Sequence, residues 1–334
     1  MTDVARQAGV SLTTVSHVIN GTRKVSAETQ NRVNAAIESL DYHRNMLAKT
    51  LAGGKSLTIG LSISGLTNTY FGPLISAIER RATEAGYLLI LGDSHDETNM
   101  ERRVVGSLLN RQIDGIIVAP APQFVEETAA RIAVTGTPLV VIDRTVDVGC
   151  DQVTPENKKS VITLTNHLIE HGHSRIAAIT GTPGLSSSQE RTEGFMNAME
   201  AHGLEVDPEL VVTAKSRTDE ADRVVTHLLS IPRPPTAFVV LNNAMTFGAM
   251  RAILRTGRHI PHDIALVAYD DFVWTDLFQP GLTNIEQDVD AIGRQAVEML
   301  LNRINGFSGP CEHRVIDTKF HIRTSCGCPP SYIV

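Results

Sequence analysis

The chain has 334 residues, 42% apolar and 20% charged, which suits about two folded domains and excludes a disordered, collagen-like or proline-rich protein. Its longest apolar runs, such as 115–119, are too short to span a bilayer, and Met1-Thr2-Asp3-Val4 lacks the basic-then-apolar start of a secretory signal, so no membrane is expected as a partner and the expected compartment is the cytoplasm. Residues 1–55 carry seven bases and four acids, a net +3 within a total of −7, which leaves −10 on the rest; a basic head on an acidic body points the head toward a polyanion.

In chain order, the head reads as three short helices. Thr2 to Ala8 places Val4, Ala5 and Ala8 on one face, and Gly9 stands where a helix ends in a left-handed turn. Ser11 caps a second helix, in which Val15, Val18 and Ile19 face inward. Thr13, Ser16, His17 and Asn20 form the opposite face, polar and almost uncharged. Short hydrogen-bonding groups of this kind reach base edges and phosphates without needing salt-bridge partners. A third helix starts near Ser26 and turns Val33, Ala36, Ile37 and Leu40 inward. Three short helices around a glycine turn match the helix-turn-helix unit that reads DNA, although a small bundle with no DNA role shows the same periodicity.

Residues 45–54 hold good helix formers followed by two glycines, about two turns, too short to persist as a helix in water. From Leu57 onward, strand-like runs alternate with helical stretches. The runs are 58–63, 87–91, 115–118 and 139–142, then 175–179, 237–241 and 264–268. β-branched runs separated by helices imply parallel sheets covered on both faces, and two series imply two doubly wound α/β lobes. Ligands in such folds sit at the carboxyl ends of strands, and polar residues cluster there in this sequence.

Cys150 and Cys311 are isolated, and Cys326-Gly327-Cys328 has no second cluster near it in sequence, so the thiols are expected to be reduced and to hold no metal. His167, His171 and His173 superficially suggest a metal-binding helix. No nucleophile elbow, P-loop or GxGxxG turn is present, so neither an enzyme nor a cofactor is expected.

The segment from Asp3 to Asn20, DVARQAGVSLTTVSHVIN, closely resembles the head of the lactose/galactose repressor family of bacterial transcription factors, and the resemblance continues over essentially the whole chain. It implies that Leu12, Thr13 and His17 read bases in the major groove, while Ser11, Thr14, Ser16, Asn20 and Ser26 mostly touch phosphates. The family usually has Arg where His17 stands, and His lacks the bidentate fork to guanine. Family members start a few residues earlier, with a helix-capping Thr, so either the start is assigned too late, the expectation here, or Thr2 caps a shortened helix. Residues 45–54 resemble the hinge helix that forms only on the operator. There Leu51 wedges into the minor groove, with Asn45 and Ala52 in the same DNA-contacting stretch.

The body resembles the periplasmic-binding-protein fold. The implied domains are a helix-turn-helix domain 1–44, a hinge 45–54, and an effector and dimerisation domain 55–334. The N-lobe takes about 57–157 and 287–318, and the C-lobe about 158–286 and 319–334. Positions matching the family's ligand contacts are Tyr70, Phe71, Asp143, Ser187, Arg191, Asn242, Asp270 and Gln287. Asp270 and Asn242 suit vicinal hydroxyls, Arg191 a ring oxygen or carboxylate, and the aromatics an apolar ring face. Their plainer roles would be helix caps for Asp143 and Asp270, a surface ion pair for Arg191 and lobe core for Tyr70 and Phe71. The family often has Pro at Thr69 and usually Asp at Asn243. The lone Trp274 falls near the cleft or on a dimer surface. Residues 172–176 resemble the family's ordinary helix-to-strand junction, which weighs against a metal there.

The resemblance thus implies a regulator, most simply a repressor. A homodimer or tetramer would sit on a pseudopalindromic operator and respond to a small sugar-like effector. The lack of a leucine-heptad tail favours the dimer. The rival readings are an activator or corepressor-dependent regulator and, in another class, a transport-type sugar receptor or an enzyme with no DNA role.

Overall fold

The structure, a computed structural model, describes residues 1–20, 23–41, 54–272, 275–277 and 279–329, with only the backbone of Asn20 and Asp276. Asn45, Leu51, Ala52 and Trp274 lie outside the described residues. The chain forms two compact units, residues 1–56 and 57–334.

The first unit packs α1 (Thr2–Ala8), α2 (Leu12–Asn20) and α3 (Ala27–Ser39) around Val4, Ala5, Ala8, Val15, Val33 and Ala36. Gly9 ends α1 at φ 64°, a left-handed backbone that favours glycine, and a Cβ there would stand 2.8 Å from the movable tip of Arg32. Ser11 Oγ accepts the Thr14 N–H at 3.1 Å, and Ser26 Oγ accepts that of Thr29 at 3.4 Å, the caps expected from sequence. Met1 occupies the N-cap of α1 with no side-chain cap, which removes the alternative that Thr2 caps the helix. One expectation needs correction: Leu40 is 40% exposed, because α3 stops one residue before it.

The second unit holds two six-stranded sheets. The first has the order β11-β5-β4-β3-β1-β2, with β1 Thr58–Ile63, β2 Leu88–Asp93, β3 Gly115–Val118, β4 Leu139–Ile142, β5 Asp151–Pro155 and β11 His313–Ile316. It is wholly parallel. The β3 run is apolar throughout because both faces are covered. Ile117 packs with Ile59, Leu61 and Leu74, while Ile116 and Val118 pack with Val105, Leu108 and Ile132. Helices α4 (Phe71–Glu84), α5 (Thr98–Leu109), α6 (Ala130–Thr135) and α11 (Val289–Ile304) belong to this lobe.

The second sheet has the order β12-β10-β9-β8-β6-β7, with β6 Ile176–Thr180, β7 Val211–Thr213, β8 Ala237–Val240, β9 Ala265–Tyr269, β10 Thr283–Gln287 and β12 Thr318–His321. It is parallel except that β12 runs antiparallel to β10. Helices α7 (Lys158–Glu170), α8 (Ser186–Ala201), α9 (Thr218–Ser230) and α10 (Asn243–Arg255) complete it. On α10, a Cβ on Gly248 would come within 2.2 Å of the Thr218 carbonyl, so the glycine lets α9 and α10 approach closely. The chain passes between the lobes after β5, after β10 and again between β11 and β12. Such multiple crossings are what permits hinge closure around a ligand.

Candidate functional site

On the head, α2 carries the outward face. Leu12 is 48% exposed at its first turn, an apolar side chain that no core demand explains. Ser11, Thr13 and Ser26 are exposed, and Thr14, Ser16 and His17 are half-buried. Ser11 and Thr14 are coupled through their hydroxyls at 2.8 Å, so the cap also orients a second polar group on this face. Sequence reasoning missed Arg32. Its guanidinium donates to the carbonyls of Ala8 at 2.5 Å and Gly9 at 3.3 Å, holding the turn between α1 and α2.

In the body, all eight residues expected at the ligand site border one cavity of about 50 Å³ between the lobes. Tyr70 and Phe71 follow β1, Asp143 follows β4, Ser187 and Arg191 sit on α8, and Asn242, Asp270 and Gln287 end β8, β9 and β10. Wider openings adjoin it. One of about 480 Å³ reaches Tyr70, Asp270 and Gln287, and one of about 700 Å³ is bounded by Asn68, Ser216 and Asn243.

Arg191 anchors the C-lobe wall. Its Nε donates to Asn157 Oδ1 at 2.8 Å, one Nη donates to the Leu241 carbonyl at 2.9 Å, and the guanidinium lies 3.7 Å from the centre of the Tyr269 ring. It is buried, so the surface ion pair is excluded. Asp270 accepts the Asn243 N–H at 3.1 Å and Gln287 Nε2 at 2.5 Å. Burial pushes its carboxyl above the usual range; Arg191 and these two bonds oppose the shift, and Asp143 adds to it. Burial, then Asp143 and Asp270, push the Tyr70 phenol well up.

On the N-lobe wall, Asp143 accepts from Arg144 Nε at 3.0 Å. Arg144 also donates to Asp96 at 2.7 Å, the Pro120 carbonyl at 2.9 Å and Ser64 at 3.2 Å. Although burial works against its charge, Asp96 and Asp143 raise its pKa. Arg144, Asp96 and Ser64 were not among the expected site residues. Their only signal in sequence was a polar residue at a strand end. Asp143 at φ 72° and Asp270 at φ 83° both hold the left-handed region, strain of the kind that concentrates at ligand sites.

The cap roles fall elsewhere than expected. Asn242 Oδ1 caps α10 through the Met245 N–H at 2.9 Å, and Asp270 accepts a second N–H of that turn, whereas Asp143 serves Arg144. Thr69 and Asn243, the two departures from the family pattern, meet across the cleft. Asn243 Nδ2 donates to Thr69 Oγ1 at 2.8 Å and to Asn68 Oδ1 at 2.7 Å. An Asp could accept from the Thr69 hydroxyl but could not donate to Asn68 Oδ1, so it is the bond to Asn68 that requires an amide at 243. Ser186 Oγ reaches the Thr145 N–H at 2.8 Å, a second link between the lobes.

A helix-turn-helix head on a two-lobed α/β body with a polar cleft defines a ligand-controlled DNA-binding regulator. The chain belongs to the lacI family of bacterial regulatory proteins. Residues 1–45 match that family's description, and residues 165–326 match a periplasmic binding protein-like domain. It is 33% identical over 305 residues to the HTH-type transcriptional repressor PurR of Pasteurella multocida (strain Pm70), 91% of each chain. It is 32% identical over 303 residues to the PurR repressor of Haemophilus influenzae (strain PittEE), 90% of each. The solved lac repressor dimer bound to operator and the anti-inducer ONPF superposes with a TM-score of 0.87 at 28% identity, covering 97% of this chain and 98% of that one. The transcriptional regulator CelR in complex with cellobiose superposes at 0.72 with 28% identity, covering 97% and 98%. The chain is therefore a DNA-binding transcriptional repressor with a small-molecule effector, not an enzyme. Among the described residues, no helix is long and apolar enough to cross a membrane.

Proposed function

We propose that the effector is a polyhydroxylated, sugar-like metabolite held between the lobes by Tyr70, Phe71, Asp143, Ser187, Arg191, Asn242, Asp270 and Gln287. One observation carries this reading. Tyr70 Oη and Gln287 Oε1, both on the wall of the same cavity, are buried polar atoms with no hydrogen-bond partner. A buried unsatisfied group costs about 1–3 kcal/mol, and a ligand hydroxyl beside each would relieve it. Arg144, Arg191, Asp143 and Asp270 add donors and acceptors of both signs, which suits vicinal hydroxyls better than an apolar ligand.

The protein works as a homodimer in the cytoplasm, placing two heads on a pseudopalindromic operator. Residues 1–44 form the DNA-reading domain, 45–54 a hinge, and 55–334 the effector domain. Leu12, Thr13 and His17 read bases; Ser11, Thr14, Ser16, Asn20 and Ser26 hold phosphates. Leu51 wedges into the minor groove when the hinge coils, with Asn45 and Ala52 in the same DNA-contacting stretch. The outward exposure of Leu12 and Thr13 supports this assignment. Ligand in the cleft favours one lobe arrangement and shifts operator affinity by about 1–3 kcal/mol.

The experiment is a thermal-shift panel on the full chain with sugars, sugar acids, sugar phosphates and nucleobases. Operator binding is then measured by anisotropy on DNA selected from a random library. Stabilisation by a sugar or sugar derivative, lost in Arg191→Ala, is expected. Stabilisation by a nucleobase alone overturns the sugar assignment, and failure to select any DNA sequence overturns the head assignment.

A further inference from the structure

Away from the cleft, the segment after β12 returns to α7. His167 and His171 stand one turn apart on that helix, and both bring Nε2 to the Cys328 thiol, at 3.4 and 3.1 Å. The ligand atoms of the three residues all lie within 4.8 Å of one another. A tetrahedral zinc ion, about 2.3 Å from sulfur and about 2.0–2.1 Å from nitrogen, sets its S···N separations near 3.5 Å, so these atoms already stand close to the corners it requires.

Two further features favour an ion over a chance contact. The first is the His171 ring, whose Nδ1 is 2.7 Å from the His167 carbonyl oxygen. Donation there leaves Nε2 as the lone-pair nitrogen facing the sulfur, the arrangement by which metal-binding histidines are oriented. The second is convergence: two ring nitrogens face one sulfur, as a metal site requires, whereas without an ion one of the two contacts must be a weak N–H to sulfur bond. Phe320 holds the His167 ring edge-on at 5.3 Å, and the buried Cys326 thiol neighbours both His167 and Cys328. His171 is the exposed member of the group and gives an ion a way in. His173, by contrast, turns Nδ1 to Thr236 Oγ1 at 3.0 Å and takes no part.

We propose that His167, His171 and Cys328 form a three-ligand site for a thiophilic divalent transition metal, zinc first, with the fourth position left to solvent. Mixed imidazole and thiolate donors favour such ions over magnesium or calcium. Binding is redox-neutral: the Cys328 thiol releases its proton to solvent, and the imidazoles bind through their neutral nitrogens. The expectation of thiols without a cluster is thereby revised. The C-x-C pair and the two histidines lie far apart in sequence and meet only because β12 pairs with β10. The ion would tie the first helix of the C-lobe to the end of the described chain.

The test is metal content and cobalt spectroscopy of the full-length protein, purified without chelator and dialysed. About one zinc per chain is expected. Cobalt(II) in its place should give thiolate-to-metal charge-transfer absorption and the intense visible bands of a tetrahedral site. Cys328→Ser should abolish the charge-transfer band, and His171→Asn should weaken zinc binding at least about tenfold. Cys150→Ser and Cys311→Ser should change neither. Zinc lost on dialysis from the unaltered protein, or an unchanged cobalt spectrum in His171→Asn and Cys328→Ser, overturns the site. Should Cys328→Ser not fold, His171→Asn, at an exposed position, decides alone. Operator binding retained in His171→Asn separates this site from the regulatory reading.

Discussion

In the head, the side chains proposed to read DNA point outward from a helix whose inner face packs on a few small apolar residues. In the body, Arg191 and Asp270, proposed to hold the ligand, are 7% and 5% exposed and face the inside of a cleft. The head's face is one helix deep and capped by its own neighbours, Ser11 on Thr14 and Ser26 on Thr29. The eight expected cleft residues come from the ends of five strands or their following loops and from α8, drawn from both lobes. A surface reader can therefore be altered one contact at a time. A buried cleft responds as a network, because each charge there is held by several others.

The largest expected effect is in the cleft. Arg191→Ala removes a buried, stacked and hydrogen-bonded cation, a loss of about 2–5 kcal/mol in ligand affinity, read by calorimetry with the compound the panel selects. Operator binding by the free protein should persist. Its loss would break the separation between head and body.

Next come Thr13→Ala and His17→Ala, each expected to cost about 1–3 kcal/mol of specific binding and to relax preference at one base position. Competition with operator variants checks this. Equal loss of specific and nonspecific binding would show that these residues do not read bases.

Asn243→Asp should cost about 1–2 kcal/mol, since it removes both donations to Asn68 and Thr69 and sets a carboxylate beside Asp270. The free body should open, seen as a larger radius of gyration in solution scattering. Gly9→Ala should destabilise the head by about 1–2 kcal/mol through its left-handed backbone, read from its thermal melt.

The smallest effect is a gain. Burial raises the Asp270 pKa, so the folded state binds a proton more tightly than the unfolded chain. The stability this carboxyl contributes is present at pH below its ordinary range and is lost as pH rises through the raised value. Asp270→Asn should remove that loss. Its melting temperature should match the parent in acid and exceed it at neutral pH, while ligand binding falls.

Much of this was legible in the sequence. The helical period placed Val15 and Val33 inside and Thr13 outside, because a short helix needs no distant partner to decide its faces. The apolar runs of β1, β3 and β4 announced themselves because both of their faces are covered. Of the edge strands only β2 did, and the interior strands β5 and β10 were also missed. β7 is three half-buried residues, β11 alternates between exposed and half-buried positions, and β12 is half-buried but for Lys319, patterns shared with loops. Resemblance located Arg191 and Asp270, but Arg144 and the Asn243–Thr69 link depend on which loops the two sheets bring together. Cys328 meets His167 and His171 for the same reason.

The central claim is that filling the cleft changes how the heads hold DNA. The direct measurement is operator affinity of the full chain by fluorescence anisotropy, with and without saturating ligand, beside Arg191→Ala. A shift of about 5–150-fold in the unaltered protein and none in the variant is predicted. Ligand saturation that leaves operator affinity unchanged would contradict the account.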